Sequence, residues 1–332
     1  MTADIVGAIL LASITLYAVL GGADFGGGLW DLLAGTTRAG RRPRALIEDS
    51  ITPVWEANHV WLVFDLVIFW TAFPHAFAAV MNTVPLPLWL AVGGIVLRGA
   101  GFAFRKEVVD LAGQRAAGAT FALSSLLTPF FMGTVVGAVA TGHVAADATH
   151  SSLSAWTNST SLLIGVLFVA ACGYLAAVLL IGEAQSRGDG QLESYFSRRA
   201  RIAGVVTGAL SLATLARLHG SNRHLYDHLT GRSLPLVIVA ALCGLFVVLR
   251  PHRGAVALRG VAAVGVAAVV WGWGVAQYPA LLPGTAVTLH NAGAPHVTLV
   301  ALVVLAGAVV FVIGPAFLVL YALQSRRVLS ST

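Results

Sequence analysis

Charge is scarce in this chain. Only 10% of its 332 residues are Asp, Glu, Lys or Arg, while 58% are hydrophobic. Ordinary soluble domains carry about 25% charge. So few charged side chains cannot cover the surface of a soluble fold of this length, and most of the exterior must face lipid. Cysteine is nearly absent as well. Cys172 and Cys243 each lie inside an apolar run and read as small buried hydrophobes, which argues against a disulfide framework. No phosphate-binding glycine loop, CxxC pair, HExxH helix or nucleophile triad occurs, so a self-contained hydrolase is not expected. No basic stretch and no small-residue cleavage site accompany the first apolar segment, which reads as a retained helix rather than a removed signal peptide. The apolar segments leave no room for a soluble domain between them.

What the chain does have is apolar length. Nine apolar segments can be marked, at 5–35, 51–73, 76–104, 117–141, 155–182, 200–218, 233–250, 255–279 and 296–323. A spanning helix needs about 20 apolar residues, and backbone groups in lipid must be paired internally. A barrel would instead show alternating segments of about ten residues. The expected fold class is an all-α integral membrane protein, a single polytopic domain over residues 1–332 with about nine transmembrane helices.

The net charge of +6 would suggest nucleic acid in a soluble protein. Here it reads as a topology signal, and no nucleic-acid partner is expected. Sixteen of the twenty basic residues fall in segments 36–50, 105–116, 183–201, 250–259 and the tail. Only Arg217, Arg223 and Arg232 fall on the opposite side, and Arg98 lies within a helix. This asymmetry places the C-terminus in the cytoplasm and the N-terminus outside. Gly22-x3-Gly26, Gly133-x3-Gly137 and Gly204-x3-Gly208 are positions where helices can approach closely. Pro129, after Ser124, Ser125 and Thr128, is a candidate kink. No internal or inverted repeat of the transporter kind is evident.

Ionisable groups inside the apolar segments are costly, on the order of 2.5–3.5 kcal/mol each on insertion scales. They mark where function should be sought. Asp24 sits in GGADFGGGLW, and Asp31 is seven residues on, nearer the cytoplasmic interface. In ITPVWEANHVWLVFD, Glu56, Asn58 and His59 lie between Trp55 and Trp61. Asp24 and Glu56 are candidates to accept and release protons. The bland alternatives are a hydrogen-bonded structural acid and a first-turn acid favoured by the helix dipole. His59 is three residues from Glu56 and can touch it. Because no second intramembrane histidine exists, His59 reads as a polar neighbour rather than a haem ligand. Asp65 is expected to pair with Arg98. The remaining histidines lie mostly in outer loops. His224 and His228 have the i,i+4 spacing of a metal pair if their loop is helical, but no full ligand set accompanies them.

The two opening segments carry a resemblance. GGADFGGGLWDLLAG resembles the first-helix motif of subunit II of cytochrome bd quinol oxidase, and ITPVWEANHVWLVF resembles that family's second-helix motif. LRGAGFAFRKEV is similar to its third-helix exit, and TLHNAGAPHVTL to the segment before its last helix. The resemblance implies a membrane-bound terminal oxidase of the bacterial plasma membrane that reduces O2 to water with electrons from quinol. It implies no haem or metal in this chain, with haem b and haem d held by a partner subunit I that this chain scaffolds. Small single-helix accessory subunits are further candidate partners, and whether a quinone is held within this subunit stays open. Asp24, Glu56 and His59 become proton-route candidates, and Trp55, Asn58, Trp61, Asp65 and Arg98 structural motif residues. Two departures stand out. Gly21 occupies a position that is often acidic in the family, and Glu56 replaces a frequent aspartate. The alternatives are a proton-coupled transporter using Asp24 and Glu56, and a purely structural scaffold.

Overall fold

The computed structural model describes residues 1–35, 38–51, 55–107, 111–147 and 150–325. The described chain consists of thirteen helices. They are α1 (Thr2–Ala34), α2 (Arg38–Ile51), α3 (Trp55–Ala72), α4 (Pro74–Thr83), α5 (Pro85–Glu107), α6 (Leu111–Ala140) and α7 (Leu153–Thr157). Then come α8 (Ser159–Ser186), α9 (Gly190–Ser221), α10 (Arg223–Thr230), α11 (Leu234–Leu249), α12 (Ala255–Gln277) and α13 (His296–Ser325). Among the described residues, six helices are long and apolar enough to cross a membrane. The number rises to as many as eight if the bent pairs α3–α4 and α10–α11 each make one span.

The departures from the expected segments have local causes. The segment expected as one helix at 76–104 is divided into α4 and α5. Pro85 lacks the N–H that would continue α4, and Val84 before it leaves the helical region at φ −125°, ψ 49°. The α3–α4 bend of 116° comes at Phe73, ahead of Pro74. Residues 36–50, expected as a loop, contain α2, an amphipathic helix that buries Leu46, Ile47 and Ile51. Helix α9 begins ten residues before the expected position 200. Asp189 caps it by accepting a hydrogen bond from the Leu192 amide at 3.1 Å, and charged first turns conceal such a start from hydropathy.

Two of the three glycine pairs bring helices into backbone contact. A Cβ on Gly26 would collide with the Cys172 carbonyl of α8, and a Cβ on Gly22 would press on Leu175. Gly133 and Gly137 of α6 meet the backbone of α8 at Gly165 and Ser161. Gly204 faces Val248 and Tyr174, whereas Gly208 has open space beside it. Pro129 stays inside α6. Ser125 and Thr128 turn their hydroxyls back onto the carbonyls of Phe121 (2.6 Å) and Ser124 (2.9 Å).

At one end of the bundle, segments expected in the cytoplasm meet one another. Arg42 donates to Asp189 at 2.5 Å and to Gln191 at 2.7 Å. Arg187 pairs with Asp49 at 3.0 Å, and Arg259 with Glu183 at 2.8 Å. At the opposite end Arg223 pairs with Asp227 at 3.1 Å, and two other side chains cap helices. Arg232 donates to the carbonyls of Ala276 and Tyr278 at the end of α12, and Asn222 donates to Ala140 at the end of α6.

Two outcomes follow. Gly26→Val forces a side chain into the Cys172 carbonyl, and overpacking of this kind costs about 1–3 kcal/mol or more. The detergent-solubilised protein should melt at a clearly lower temperature, and unchanged melting would show that α1 and α8 do not need their close approach. Asp189 is held below the ordinary carboxylate range, first by the Leu192 amide and then by Arg42. Its ionised form therefore stabilises the fold above the unfolded value of about 4, and the contribution is lost as pH falls toward the depressed native value. Asp189→Ala should lower the melting temperature at pH 7, and the difference from the parent should shrink on titration well below pH 4.

Candidate functional site

The glycine-rich part of α1 presents Asp24 to three other helices. Asp24 is 1% exposed. Its carboxylate accepts a hydrogen bond from Asn58 Nδ2 of α3 at 2.5 Å, and the same amide group lies 3.4 Å from the Leu20 carbonyl. From α5, Arg98 reaches into the same place and is only 2% exposed. Its Nη2 donates to the backbone carbonyl of Asp24 at 3.0 Å. Its Nε donates to Ser125 Oγ of α6 at 3.1 Å. Phe25 and Phe121 place their rings 4.9 and 5.2 Å from the guanidinium carbon, within the range of cation–π attraction.

Glycine makes this convergence sterically available. A Cβ on Gly28 would collide with Ser125, and one on Gly94 would collide with Thr128. Larger residues there would push α6 away from α1 and α5, and Arg98 would lose its acceptors. The cation sits beside an anionic carboxylate, so the two buried charges oppose each other within a medium that solvates neither well.

His59 lies against this cluster. Its ring meets Tyr17 edge-on at 6.1 Å and Phe25 at 5.7 Å between centroids. Its Nε2 is buried within the chain. Trp61 stacks edge-on with Phe64 at 6.2 Å. Trp55 and Glu56 belong to the backbone of α3, but their side chains lie outside the described residues. The proximity of Glu56 to His59 therefore lies outside them too.

Asp65 does not take the expected partner. Arg98 is engaged by Asp24 and Ser125, whereas Asp65 is turned toward Ser13 of α1. The separation is a matter of register. Helices α1 and α3 pack against each other, and Asp65 lies seven residues beyond Asn58, about 10 Å along the axis. That offset carries it away from the level of Arg98. Asp31, expected near the interface, is buried. His224 and His228 do lie on a helix, α10, with rings 4.1 Å apart. No group of three or more His, Cys, Asp or Glu residues that could hold a metal occurs among the described residues.

Sequence reasoning missed Tyr17 and Ser125 as members of the site. Tyr17 is seven residues before Asp24 and shares its helical face, a periodicity that could have revealed it. Ser125 was visible only as a neighbour of Pro129.

Removing the guanidinium should be costly. Arg98→Met keeps the length and leaves Asp24 without its cation, so stability should fall by about 3–5 kcal/mol. Arg98→Lys should recover only part of the loss, because an ammonium cannot reach Ser125 and the Asp24 carbonyl with a planar fork. Denaturant titration in detergent would measure both. A lysine variant as stable as the parent would show that the fork geometry is dispensable.

Comparisons with known proteins agree on one group. The sequence model of the family described as cytochrome bd terminal oxidase subunit II matches residues 2–324. The chain is 26% identical to cytochrome bd ubiquinol oxidase subunit 2 of Bacillus subtilis (strain 168) over 230 residues. That match covers 68% of this chain and 64% of the relative. It is 25% identical to cytochrome bd-I ubiquinol oxidase subunit 2 of Escherichia coli (strain K12) over 133 residues, 40% of this chain and 33% of the relative. The chain thus spans less than two thirds of the length of these curated relatives. Its fold matches that of a chain in the structure of bd oxidase from Geobacillus thermodenitrificans, with a TM-score of 0.74 and 20% identity. That match covers 98% of this chain and 99% of the other. With the family match running over nearly its whole length, the chain belongs to the cytochrome bd terminal oxidase subunit II family.

Proposed function

We propose that this chain is the non-haem subunit of a membrane-bound quinol:oxygen oxidoreductase of the cytochrome bd type. In that role it scaffolds a haem-bearing subunit I and contributes carboxylates to the uptake of protons from the cytoplasm. Haem b and haem d, in the partner, supply the electron-transfer and oxygen chemistry. This chain faces outward with its N-terminus and keeps its C-terminus in the cytoplasm, the orientation that the arginine asymmetry favours.

Reduction of one O2 to two waters consumes four protons and four electrons. Quinol supplies the electrons, and the protons must cross apolar protein to the reduction site. A carboxylate fixed in such a region can carry a proton through one step by alternating between its acid and its anion. Asp24 is such a group. The observation that carries the proposal is its placement: fully buried, hydrogen-bonded to Asn58 of the signature segment, and beside the Arg98 cation. The cation limits the cost of the anionic state, and the amide of Asn58 holds the carboxylate in one position. Glu56, two residues before Asn58, is the second carboxylate of the proposed route, with His59 as its polar neighbour.

The test uses the assembled oxidase. Asp24→Asn and Glu56→Gln each retain side-chain volume and remove the exchangeable acid. Each should slow quinol-driven oxygen consumption by at least about tenfold, a floor set below the roughly 10²–10⁴-fold that proton transfer by a positioned side chain contributes, with haem content unchanged. Full activity in both variants would refute the proton role. Loss of haem d in both would assign these residues to the stability of the partner instead.

A further inference from the structure

At the arginine-rich end of the bundle, α9 and α11 run antiparallel and meet along one seam. Ser197 of α9 donates to the Pro251 carbonyl at 3.4 Å. Further along, a Cβ on Gly204 would lie 2.8 Å from the Val248 side chain. Arg201 stands between these two contacts on the same face of α9. Arg250 stands between Val248 and Pro251, where α11 ends. The two arginines therefore share one level of the seam. Arg198 precedes Arg201 on α9, and Arg253 closes the turn with its amide on the Arg250 carbonyl at 3.2 Å.

These four side chains are exposed, and none of them forms an ion pair among the described residues. Other arginines of the same end are matched by carboxylates: Arg42 by Asp189, Arg187 by Asp49 and Arg259 by Glu183. The one acid of α9, Glu193, is met by Gln185 at 3.0 Å and by His252 at 3.6 Å. Helix α11 and the turn after it contain no acid. A topology signal asks only for basic residues on one side of the membrane. It does not ask for them to converge, unmatched, on one helix seam.

Beyond the arginines the seam opens toward the apolar part of the bundle. The antiparallel register that sets Gly204 against Val248 continues, four residues on in α9 and four back in α11, to Gly208 and Gly244. A Cβ at either position would meet nothing within 4 Å. Val205 and Leu212 of α9 and Leu245 and Leu249 of α11 are each more than half exposed. Gly208 lies seven residues from Arg201, about 10 Å along the helix. A cationic head region thus sits one short step above an unfilled apolar cleft.

We propose that this seam binds an anionic phospholipid, with the phosphate on Arg201 and Arg250 and an acyl chain in the cleft beside Gly208 and Gly244. Guanidinium groups match phosphate oxygens with paired donors, and basic pockets between transmembrane helices suit anionic head groups. The absence of a free carboxylate at the seam selects the charge of the ligand. The ammonium of a zwitterionic head group would lie among arginines with no acid to meet it. A soluble anion would satisfy the arginines and leave the cleft empty. This site is independent of the proton role proposed for Asp24.

The experiment uses the complete oxidase, delipidated in non-ionic detergent and titrated with a fluorescent phosphatidylglycerol whose anisotropy reports binding. Arg201→Gln combined with Arg250→Gln should weaken binding by at least about tenfold. Gly208→Leu fills the cleft and keeps every arginine, and it should weaken binding by a similar factor. Arg41→Gln removes an exposed arginine of α2 and should leave the affinity within about twofold. Haem content and melting temperature should not fall in any variant, since each change is at an exposed position. Parental affinity in the double arginine variant, or equal binding of the matching phosphatidylcholine probe, would overturn the proposal. Parental affinity in Gly208→Leu, with displacement of the probe by inorganic phosphate, would assign the arginines to a soluble anion and overturn the lipid site.

Discussion

The burial of one guanidinium sets the register of four helices. Arg98 can be stable in an apolar interior only if its donors find acceptors and its charge finds an opposing charge. The acceptors come from the backbone of α1 and a hydroxyl of α6, and the opposing charge is the Asp24 carboxylate, itself steadied by α3. Each of these helices must reach the centre at the right height. A shift of α5 by one residue would move the guanidinium by about 1.5 Å and rotate it by about 100°, away from every partner. The glycines of α1 are a consequence of the same demand. Gly22 and Gly26 admit α8, Gly27 admits α2, and Gly28 admits α6, so one helix is approached closely on several sides while Asp24 points toward a further one.

Much of this was legible beforehand because lipid imposes a severe filter on sequence. Long apolar runs show through any folding detail, and the few charges left inside them are conspicuous by their cost. Asp24, Asn58 and Arg98 stood out in this way, and the structure brings all three together. What stayed hidden was cheap or local. The hydroxyls of Tyr17 and Ser125 carry little transfer penalty, so they leave no mark on a hydropathy profile. The pairing of Asp65 with Arg98 was expected because both looked unmatched. Matching by charge alone ignores height: Arg98 finds the Asp24 carbonyl of α1, and Asp65 lies at another level. Helix α2 and the early start of α9 were missed because their charged turns resemble loops, although Asp189 capping Leu192 gives a local reason for the helix to begin there.

The two ends of the bundle solve different electrostatic problems with similar residues. Where arginines are abundant they pair with acids from other segments: Arg42 with Asp189, Arg187 with Asp49, and Arg259 with Glu183. These exposed pairs are individually weak, so their effect lies in tying α2, the α8–α9 turn and α12 into one platform. Where arginines are few, Arg223 pairs with Asp227 of its own helix, and Arg232 serves a helix end. Arg232 and His228 both meet the Ala276 carbonyl, where the negative end of the α12 dipole favours a donor and a positive charge. Asn222 does the same for α6 without charge. Arg232 thus has a specific structural task at a helix end, while the arginines of the other end act collectively.

The same economy bears on the proposed proton role. An acid used for proton transfer must be able to ionise without the site collapsing or the carboxylate wandering toward a stronger partner. If Arg98 gripped the carboxylate directly in a two-pronged pair, the anion would be held too firmly to give way to its protonated form. Instead the guanidinium grips the backbone carbonyl of Asp24 and leaves the carboxylate to the neutral amide of Asn58. The cation therefore acts on the acid through space, as a fixed field, while the amide fixes position. Field and position are carried by separate side chains on separate helices, so each can be altered alone. The steric condition for that separation is again the bare backbone of α1, which lets Arg98 reach the carbonyl of the residue whose side chain it must not bind.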